Sequence, residues 1–281
     1  DAETQMSDTP FSVRGKRVVV VGAARSGVAA AELLVRRGAS VTLTDVREQI
    51  DDEERLRAAG VALELGGHHA STFSAADLVV LSPGVPSQLP AFEAARRAGV
   101  PVTGELELAS RWLRGRIVAI TGTKGKSSTT TLTGRMLEAG GYRVLVGGNI
   151  GLALSAQVEA STDETIHVIE ASSFQLESAQ TFRPWIAVLL NFSPDHLDRH
   201  ATVEEYAGAK ARIFARQQPT DWAVLNADDP GTLELAAATR AHRLLFSMSE
   251  VAPEGVVLSH DAIVRRTAGG DESLVPLTAV R

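Results

Sequence analysis

The sequence predicts an α/β chain: a Rossmann-like N-terminal domain, then a doubly wound, P-loop ATPase-type central domain with a small β-hairpin region. Three observations predict it. The strand-like run Lys16 to Val21 leads into a glycine loop, Gly22-Ala23-Ala24-Arg25-Ser26-Gly27. A second β-branched run, Ile117 to Ile120, leads into another, Thr121-Gly122-Thr123-Lys124-Gly125-Lys126-Ser127. After Val251 the pattern changes to short alternating runs with turns. A strand, a glycine loop and a helix in succession form the βα turn of open parallel sheets. A length of 281 residues gives room for about two domains.

Residues 1–12 are expected to be disordered or tag-like, with Met6 a native start and Asp1 to Gln5 left from expression or processing. The first domain is read over residues 13–114. Beyond its glycine loop a helix carries Val28, Leu33, Leu34 and Val35. Ser40 to Thr44 is a second strand ending in Asp45-Val46-Arg47. Val61 to Leu65 and Leu78 to Leu81 add two more, the latter running into Ser82-Pro83-Gly84. A glycine loop with an acid after the second strand suggests NAD binding. The fingerprint is incomplete, because Ala24 sits where the middle glycine belongs and its side chain blocks the closest approach of a pyrophosphate. Arg25 adds positive charge. Asp45 and Arg47 suit a sugar hydroxyl and a phosphate or base respectively. A purely structural turn is the alternative.

Leu108 to Arg116 reads as a helix end and a short connection, which places the boundary near Leu113 to Gly115 and the central domain at residues 115–281. Its strands are read at Ile117–Ile120, Tyr142–Val146, Thr165–Ile169, Trp185–Leu190, Trp222–Leu225 and His242–Phe246, with hairpin strands at Gly255–Ser259 and Ala262–Arg266. The helix after the second glycine loop places Leu132, Met136 and Leu137 on one face. This loop is a shorter form of the P-loop, with Ile120 where the usual motif has its first glycine. Gly122 and Gly125 let backbone N–H groups turn inward, and the helix start adds partial positive charge. Lys126 reaches terminal phosphates and the Ser127 hydroxyl suits Mg²⁺. The loop reads as an ATP site.

Bulk properties exclude several classes. A net charge of −6 argues against nucleic acid as a partner. Zero cysteines rule out disulfides and thiolate metal sites and fit the cytoplasm. No apolar run approaches the roughly 18 residues of a membrane span, and no signal-peptide pattern opens the chain. Membrane insertion is not expected, and the chain is expected to be a monomer.

Ligands of open α/β sheets sit outside the carboxyl ends of the strands. That rule gathers Thr121 to Ser127, Gly147-Gly148-Asn149-Ile150-Gly151, Glu170 with Ala171-Ser172-Ser173-Phe174-Gln175-Leu176-Glu177, and Asn191 with Ser193-Pro194-Asp195-His196-Leu197-Asp198-Arg199-His200 on one edge. A carboxylate and a hydroxyl near phosphates are hard oxygen ligands suited to Mg²⁺. His196 alone would read as a surface or capping residue; its place on this edge makes it a candidate. Lys210 lies within the apolar stripe Val203, Tyr206, Ala207, Ile213 and Phe214 of a helix read over Val203 to Ala215. A snorkelling side chain is one explanation. An ammonium about 5 Å from Mg²⁺ would be repelled by about 7 kcal/mol at an effective dielectric of about 20. Near a metal, then, the lysine must lose its proton or become an anion, as N-carbamylation achieves.

Together these motifs resemble the Mur ligase family of ATP-dependent amide-forming enzymes, from about Val13 onward. The carrying residues are Thr121 to Ser127, Gly147 to Gly151, Glu170 to Glu177, Asp195 to Arg199 and Ala209-Lys210, with the Gly22 loop, Thr44 to Arg47 and Ser82-Pro83-Gly84 in the first domain. Lys124 departs from the Asn common there. The resemblance implies ATP and Mg²⁺ as cofactors, with UDP-N-acetylmuramoyl-L-alanine and D-glutamate as substrates joined through an acyl phosphate. It implies catalytic roles for Lys126, Glu170, His196 and Lys210. Gly122, Thr123, Lys124, Gly125, Lys126, Ser127 and Ser128 would bind ATP. Arg25, Ser26, Asp45, Arg47, Gly84, Asn149, Ser172 and His196 would contact the substrate. The metal set would be Ser127, Glu170, His196 and Lys210 as its carbamate. A sibling ligase, folylpolyglutamate synthase, an NAD-dependent oxidoreductase and a non-catalytic nucleotide sensor are the alternatives. Family members continue past Arg281 into a third domain that binds the amino acid, so the expectation is a chain that lacks this C-terminal domain, binds substrate and makes no amide bond.

Overall fold

A valine run buried on both faces builds the centre of the first sheet. The computed structural model describes residues 11–86, 89–195, 199–249 and 251–280. It divides into two compact units, Asp1–Arg111 and Trp112–Arg281. The first contains β1 (Arg17–Val21), α1 (Arg25–Arg36), β2 (Ser40–Asp45), α2 (Glu53–Ala58), β3 (Ala62–Leu65), α3 (Ala70–Ser74), β4 (Leu78–Leu81), α4 (Ala91–Arg97), β5 (Val102–Gly104) and α5 (Glu105–Ser110). All five strands are parallel, in the order β3-β2-β1-β4-β5. Continuous apolar runs such as Val18 to Val21 are what a strand covered on both faces requires. α1 turns Val28, Ala31 and Leu34 inward at three-residue steps. Phe73 and Phe92 meet edge to face at 5.3 Å within a cluster with Val19, Val21, Val79 and Leu81.

The second unit contains β6 (Arg116–Thr121), α6 (Lys126–Ala139), β7 (Arg143–Gly148), α7 (Leu154–Gln157), β8 (Thr165–Glu170), α8 (Ser173–Glu177), β9 (Ile186–Leu189), α9 (Val203–Ala211), β10 (Trp222–Asn226), α10 (Pro230–Leu235), β11 (His242–Ser247), β12 (Gly255–Ser259), β13 (Ala262–Thr267) and β14 (Gly270–Pro276). Its sheet has the order β14-β13-β12-β11-β10-β9-β6-β8-β7. β7 through β12 are parallel; β13 and β14 extend the same sheet antiparallel from β12. No helix among the described residues is long and apolar enough to cross a membrane.

Two helix expectations need correction. α9 ends at Ala211 and tightens into a 3₁₀ turn at Arg212–Phe214 instead of continuing to Ala215. On α6, only Leu137 of the expected apolar face packs against the core, while Leu132 and Met136 are 58% and 65% exposed. The helix seats itself on smaller residues. Thr130 and Gly134 are its buried positions, and a Cβ at Gly134 would stand 2.4 Å from the Val146 side chain. Close approach through a glycine replaces leucine packing.

Candidate active site

Strand order decides which loops meet. β6 lies between β8 and β9, and β7 lies outside β8, so the chain leaves β6 for one edge, returns beside it, then crosses to its other side. The carboxyl ends of β6, β7, β8 and β9 therefore share one sheet edge, at a topological switch point. After Thr121 the chain turns through Gly122 to Gly125 and enters α6 at Lys126. The first-turn N–H groups of that helix have no intrahelical acceptor and point outward as an anion site.

Glu170, at the end of β8, is 2% exposed and holds the neighbouring loops. Its Oε2 accepts from Ser127 Oγ at 2.7 Å and its Oε1 from Asn149 Nδ2 at 2.7 Å. Asn149 N also donates to the Glu170 carbonyl. Lys126 Nζ donates to the Thr123 carbonyl at 3.0 Å, and Lys210 Nζ to the Gly122 carbonyl at 2.8 Å. Lys210 is 1% exposed, with its Nζ 4.7 Å from the Tyr206 ring centroid. Burial, reinforced by the Lys126 charge and opposed by Asp195, pushes its ammonium down to about 7. A pocket of about 140 Å³ is lined by Lys126, Asn149, Ser172, Ser173, Phe174 and Lys210. Ser172 caps α8, its hydroxyl accepting from Gln175 N while the Gln175 side chain accepts from Ser172 N. Lys124, Gly125, Ser127 and Ser128 are exposed on the loop and helix start; Gly122 and Thr123 are buried beneath them. His196 lies outside the described residues.

Several members of this edge escape a sequence reading of roles. Tyr206 OH and Thr123 Oγ1 share a hydrogen bond of 3.3 Å. The Tyr206 ring stacks on Phe192 at 5.6 Å and meets His200 at 5.3 Å, and His200 stacks on Phe174 at 5.2 Å. Arg199 lies over Phe174 at 4.3 Å. In the sequence Phe174, Arg199 and His200 fall within the loop runs at this edge and Tyr206 within an apolar helix stripe, and nothing there pairs them.

In the first unit the predicted residues gather at the ends of β1, β2 and β4. Asp45 is buried, and both its oxygens are engaged: Oδ2 accepts from Ala23 N at 2.6 Å and Arg47 Nη2 at 2.9 Å, Oδ1 from Arg47 N and Nε at 2.9 Å each. The Arg47 guanidinium holds this carboxyl well below the usual carboxylate range. Asp45 and Arg47 are thus one bidentate unit, where the sequence treated them as separate readers. Arg25 and Gly84 are exposed and Ser26 half-buried. Gly27 closes the loop, since a Cβ there would lie 1.8 Å from the Gly22 carbonyl oxygen and 2.5 Å from Ser82 Oγ.

Mg²⁺ fits the donor set in kind. Among the described residues no group of three or more His, Cys, Asp or Glu is assembled to hold a metal. Mg²⁺ uses few protein ligands beside phosphate oxygens and water, so a hydroxyl and a carboxylate oxygen 2.7 Å apart at a helix start are compatible with it.

A glycine loop opening a helix at the switch point of a parallel sheet places the second unit in the phosphate-loop class of α/β proteins. Comparison with known proteins narrows that class. Residues 120–275 match the profile of the Mur ligase middle domain, and residues 16–104 that of the Mur ligase MurD-like N-terminal domain. The chain belongs to the Mur ligase family. It is 50% identical over 260 residues to UDP-N-acetylmuramoylalanine--D-glutamate ligase of Pelotomaculum thermopropionicum, covering 92% of this chain and 57% of that protein. The Koribacter versatilis protein of the same name is 44% identical over 270 residues, covering 95% and 60%. The chain therefore spans about 60% of the length of these curated relatives. Among solved structures, the UDP-N-acetylmuramate:L-alanyl-gamma-D-glutamyl-meso-diaminopimelate ligase of Neisseria meningitides superposes with a TM-score of 0.61 at 19% identity, covering 94% of this chain and 85% of that one. UDP-N-acetylmuramate-alanine ligase of Thermotoga maritima gives 0.53 at 22%, covering 88% and 55%. At these identities the likeness is one of fold.

Proposed function

We propose that this chain carries the UDP-substrate and ATP sites of a ligase that adds D-glutamate to UDP-N-acetylmuramoyl-L-alanine in peptidoglycan synthesis, working as a monomer in the cytoplasm. The observation that carries the reading is the buried Glu170 carboxylate joined to Ser127 at the start of α6, beside a pocket lined by Lys126 and Lys210. The names of the relatives supply the substrates. In this reading the first-unit residues Arg25, Ser26, Asp45, Arg47 and Gly84 hold the uridine nucleotide. Lys126 meets the terminal phosphates as a point charge, and the N–H groups at the start of α6 take their oxygens. Ser127 and Glu170, together with His196 and Lys210 if it is converted to its carbamate, would hold Mg²⁺. When bound, Mg²⁺ would neutralise charge on the transferring phosphoryl group. Asn149, Ser172 and His196 orient the acyl end of the substrate. A substrate carboxylate oxygen attacks the γ-phosphorus of ATP, releasing ADP and leaving an acyl phosphate. The amine of D-glutamate then attacks the acyl carbon, forming the C–N bond and releasing phosphate and a proton. Most of the protein's contribution is positioning.

Lys210 supports its own modification. A buried amine pushed to about 7 is largely unprotonated slightly above neutrality. Its lone pair can add to CO₂, forming an N–C bond and releasing one proton. The test of the whole reading is thermal shift and calorimetry on this chain with ATP–Mg²⁺ and UDP-N-acetylmuramoyl-L-alanine, followed by D-glutamate-dependent phosphate release in a protein of the relatives' full length. Tight binding of NADH with no response to ATP–Mg²⁺ would sink it.

A further inference from the structure

The loop after β9 contains one side chain that behaves like a piece of backbone. Asn191 lies two residues beyond Leu189, directly beside the glycine loop because β9 pairs with β6. Its Oδ1 accepts from Thr123 N at 3.0 Å and from Lys124 N at 2.8 Å, and its Nδ2 donates to the Lys124 carbonyl at 3.0 Å. Its own carbonyl accepts a further bond from Thr123 N at 3.1 Å. Immediately before it, Leu190 N donates to the Thr121 carbonyl at 3.0 Å. Two residues on, Thr123 Oγ1 donates to the Ser193 carbonyl and accepts from Ser193 N, each at 3.0 Å. The ladder between β6 and β9 therefore continues past the ends of the regular strands, first through backbone bonds and then through the Asn191 and Thr123 side chains.

This pairing has a chemical consequence for the anion cradle. In a free glycine loop, successive N–H groups turn toward a phosphate. Here the N–H groups of Thr123 and Lys124 already have acceptors, and Lys126 Nζ sits on the Thr123 carbonyl. We infer that Asn191 is a positioning residue: it locks the first half of the glycine loop before nucleotide arrives and confines phosphate recognition to the N–H groups from Gly125 onward. An asparagine suits this task because one planar amide offers both an acceptor and a donor. Pre-ordering the loop removes an entropic cost from binding. The consequence for phosphate rests on the ATP reading above; the locking itself does not.

The test uses this chain, with amide hydrogen exchange followed by NMR and ATP–Mg²⁺ binding followed by calorimetry. Without nucleotide, the Thr123 and Lys124 amides should be protected from exchange, with protection that saturating ATP–Mg²⁺ leaves nearly unchanged, whereas Gly125 to Ser127 should gain protection on binding. In Asn191→Ala the Lys124 amide should lose its protection, and the Kd for ATP–Mg²⁺ should rise about tenfold or more. Asn191→Asp keeps the acceptors, loses the donor to Lys124 and adds negative charge; it should restore amide protection but not nucleotide affinity. If Asn191→Ala fails to fold, Asn191→Asp and the unsubstituted chain still decide. Rapid exchange at Lys124 in the unliganded chain would overturn the lock. Asn191→Ala binding ATP–Mg²⁺ as tightly as the parent would overturn its role in phosphate recognition. A parent chain that shows protected amides but no ATP binding would overturn the ATP reading while leaving the lock standing.

Discussion

Replacing Lys210 by Met should make the second unit more stable, and the gain should depend on pH. Lys210 is fully enclosed, and its ammonium is pushed from 10.5 to about 7. Between those values the unfolded chain carries a proton at this site that the folded chain does not. Stability therefore rises with pH across that window, and at neutral pH and below the folded state bears the cost of a desolvated charge. A displacement of about 3.5 units (10.5 minus 7) at 1.36 kcal/mol each corresponds to an upper limit of about 4 kcal/mol at pH 7, where the group is half protonated. Lys210→Met removes that cost but also the bond from Nζ to the Gly122 carbonyl, a charge-assisted bond that contributes about 2 kcal/mol. The net expectation is a gain of about 2 kcal/mol at pH 7 that has vanished by pH 10. Urea unfolding in CO₂-depleted buffer measures it. The three tryptophans, Trp112, Trp185 and Trp222, all lie in the second unit, so their fluorescence reports that unit. A variant less stable than the parent at pH 7, by an amount that does not change with pH, would refute the reasoning.

Three other substitutions test the rest of the architecture. Lys126→Ala should abolish stabilisation by ATP–Mg²⁺ in a thermal-shift assay while leaving UDP-substrate binding nearly intact; equal loss of both would show that the sites are not separate. Gly27→Ala puts a methyl group against the Gly22 carbonyl and should destabilise the first unit by about 2–3 kcal/mol, read by circular dichroism during urea unfolding. Asp45→Asn should cost the first unit about 1–2 kcal/mol at pH 7. Because the folded carboxyl is held below its unfolded value, that cost should shrink as pH falls through and below the ordinary carboxylate range, which unfolding between pH 2 and 7 would follow.

The sequence makes the buried strands and glycine loops of this fold legible because each is a local pattern. Val18 to Val21 and Ile117 to Ile120 are apolar on both faces, which only a covered parallel strand tolerates. Lys210 stands out for a related reason, a charge within an apolar stripe. β5 and β14 escape notice: the former is three residues long, too short to show a period, and the latter is exposed throughout, so no burial pattern marks it. The exposed Leu132 and Met136 mislead because apolar character predicts burial only when larger side chains make the contact, and here Gly134 does. Asn191 is visible as a polar residue at a strand end, but its bonds depend on β9 lying beside β6. Nothing near either segment in sequence declares that neighbour.

The same strand order has a consequence for how the chain leaves the ribosome. Both neighbours of β6, namely β8 and β9, come later in the chain, and the second of them ends only at Leu189. For the time needed to make roughly 70 residues after Thr121, at about 5–20 residues per second, the apolar β6 run lacks at least one flanking strand. The first unit meets a similar delay earlier, since its central β1 ends at Val21 and acquires its second partner only at Leu81, but that wait is over before β6 is made. Synthesis therefore favours a nascent chain whose first sheet is formed while the strand that will carry the glycine loop is still waiting for its second edge. Stalling translation before Leu189 would prolong that exposure, and a chaperone that recognises short β-branched segments would find its target there.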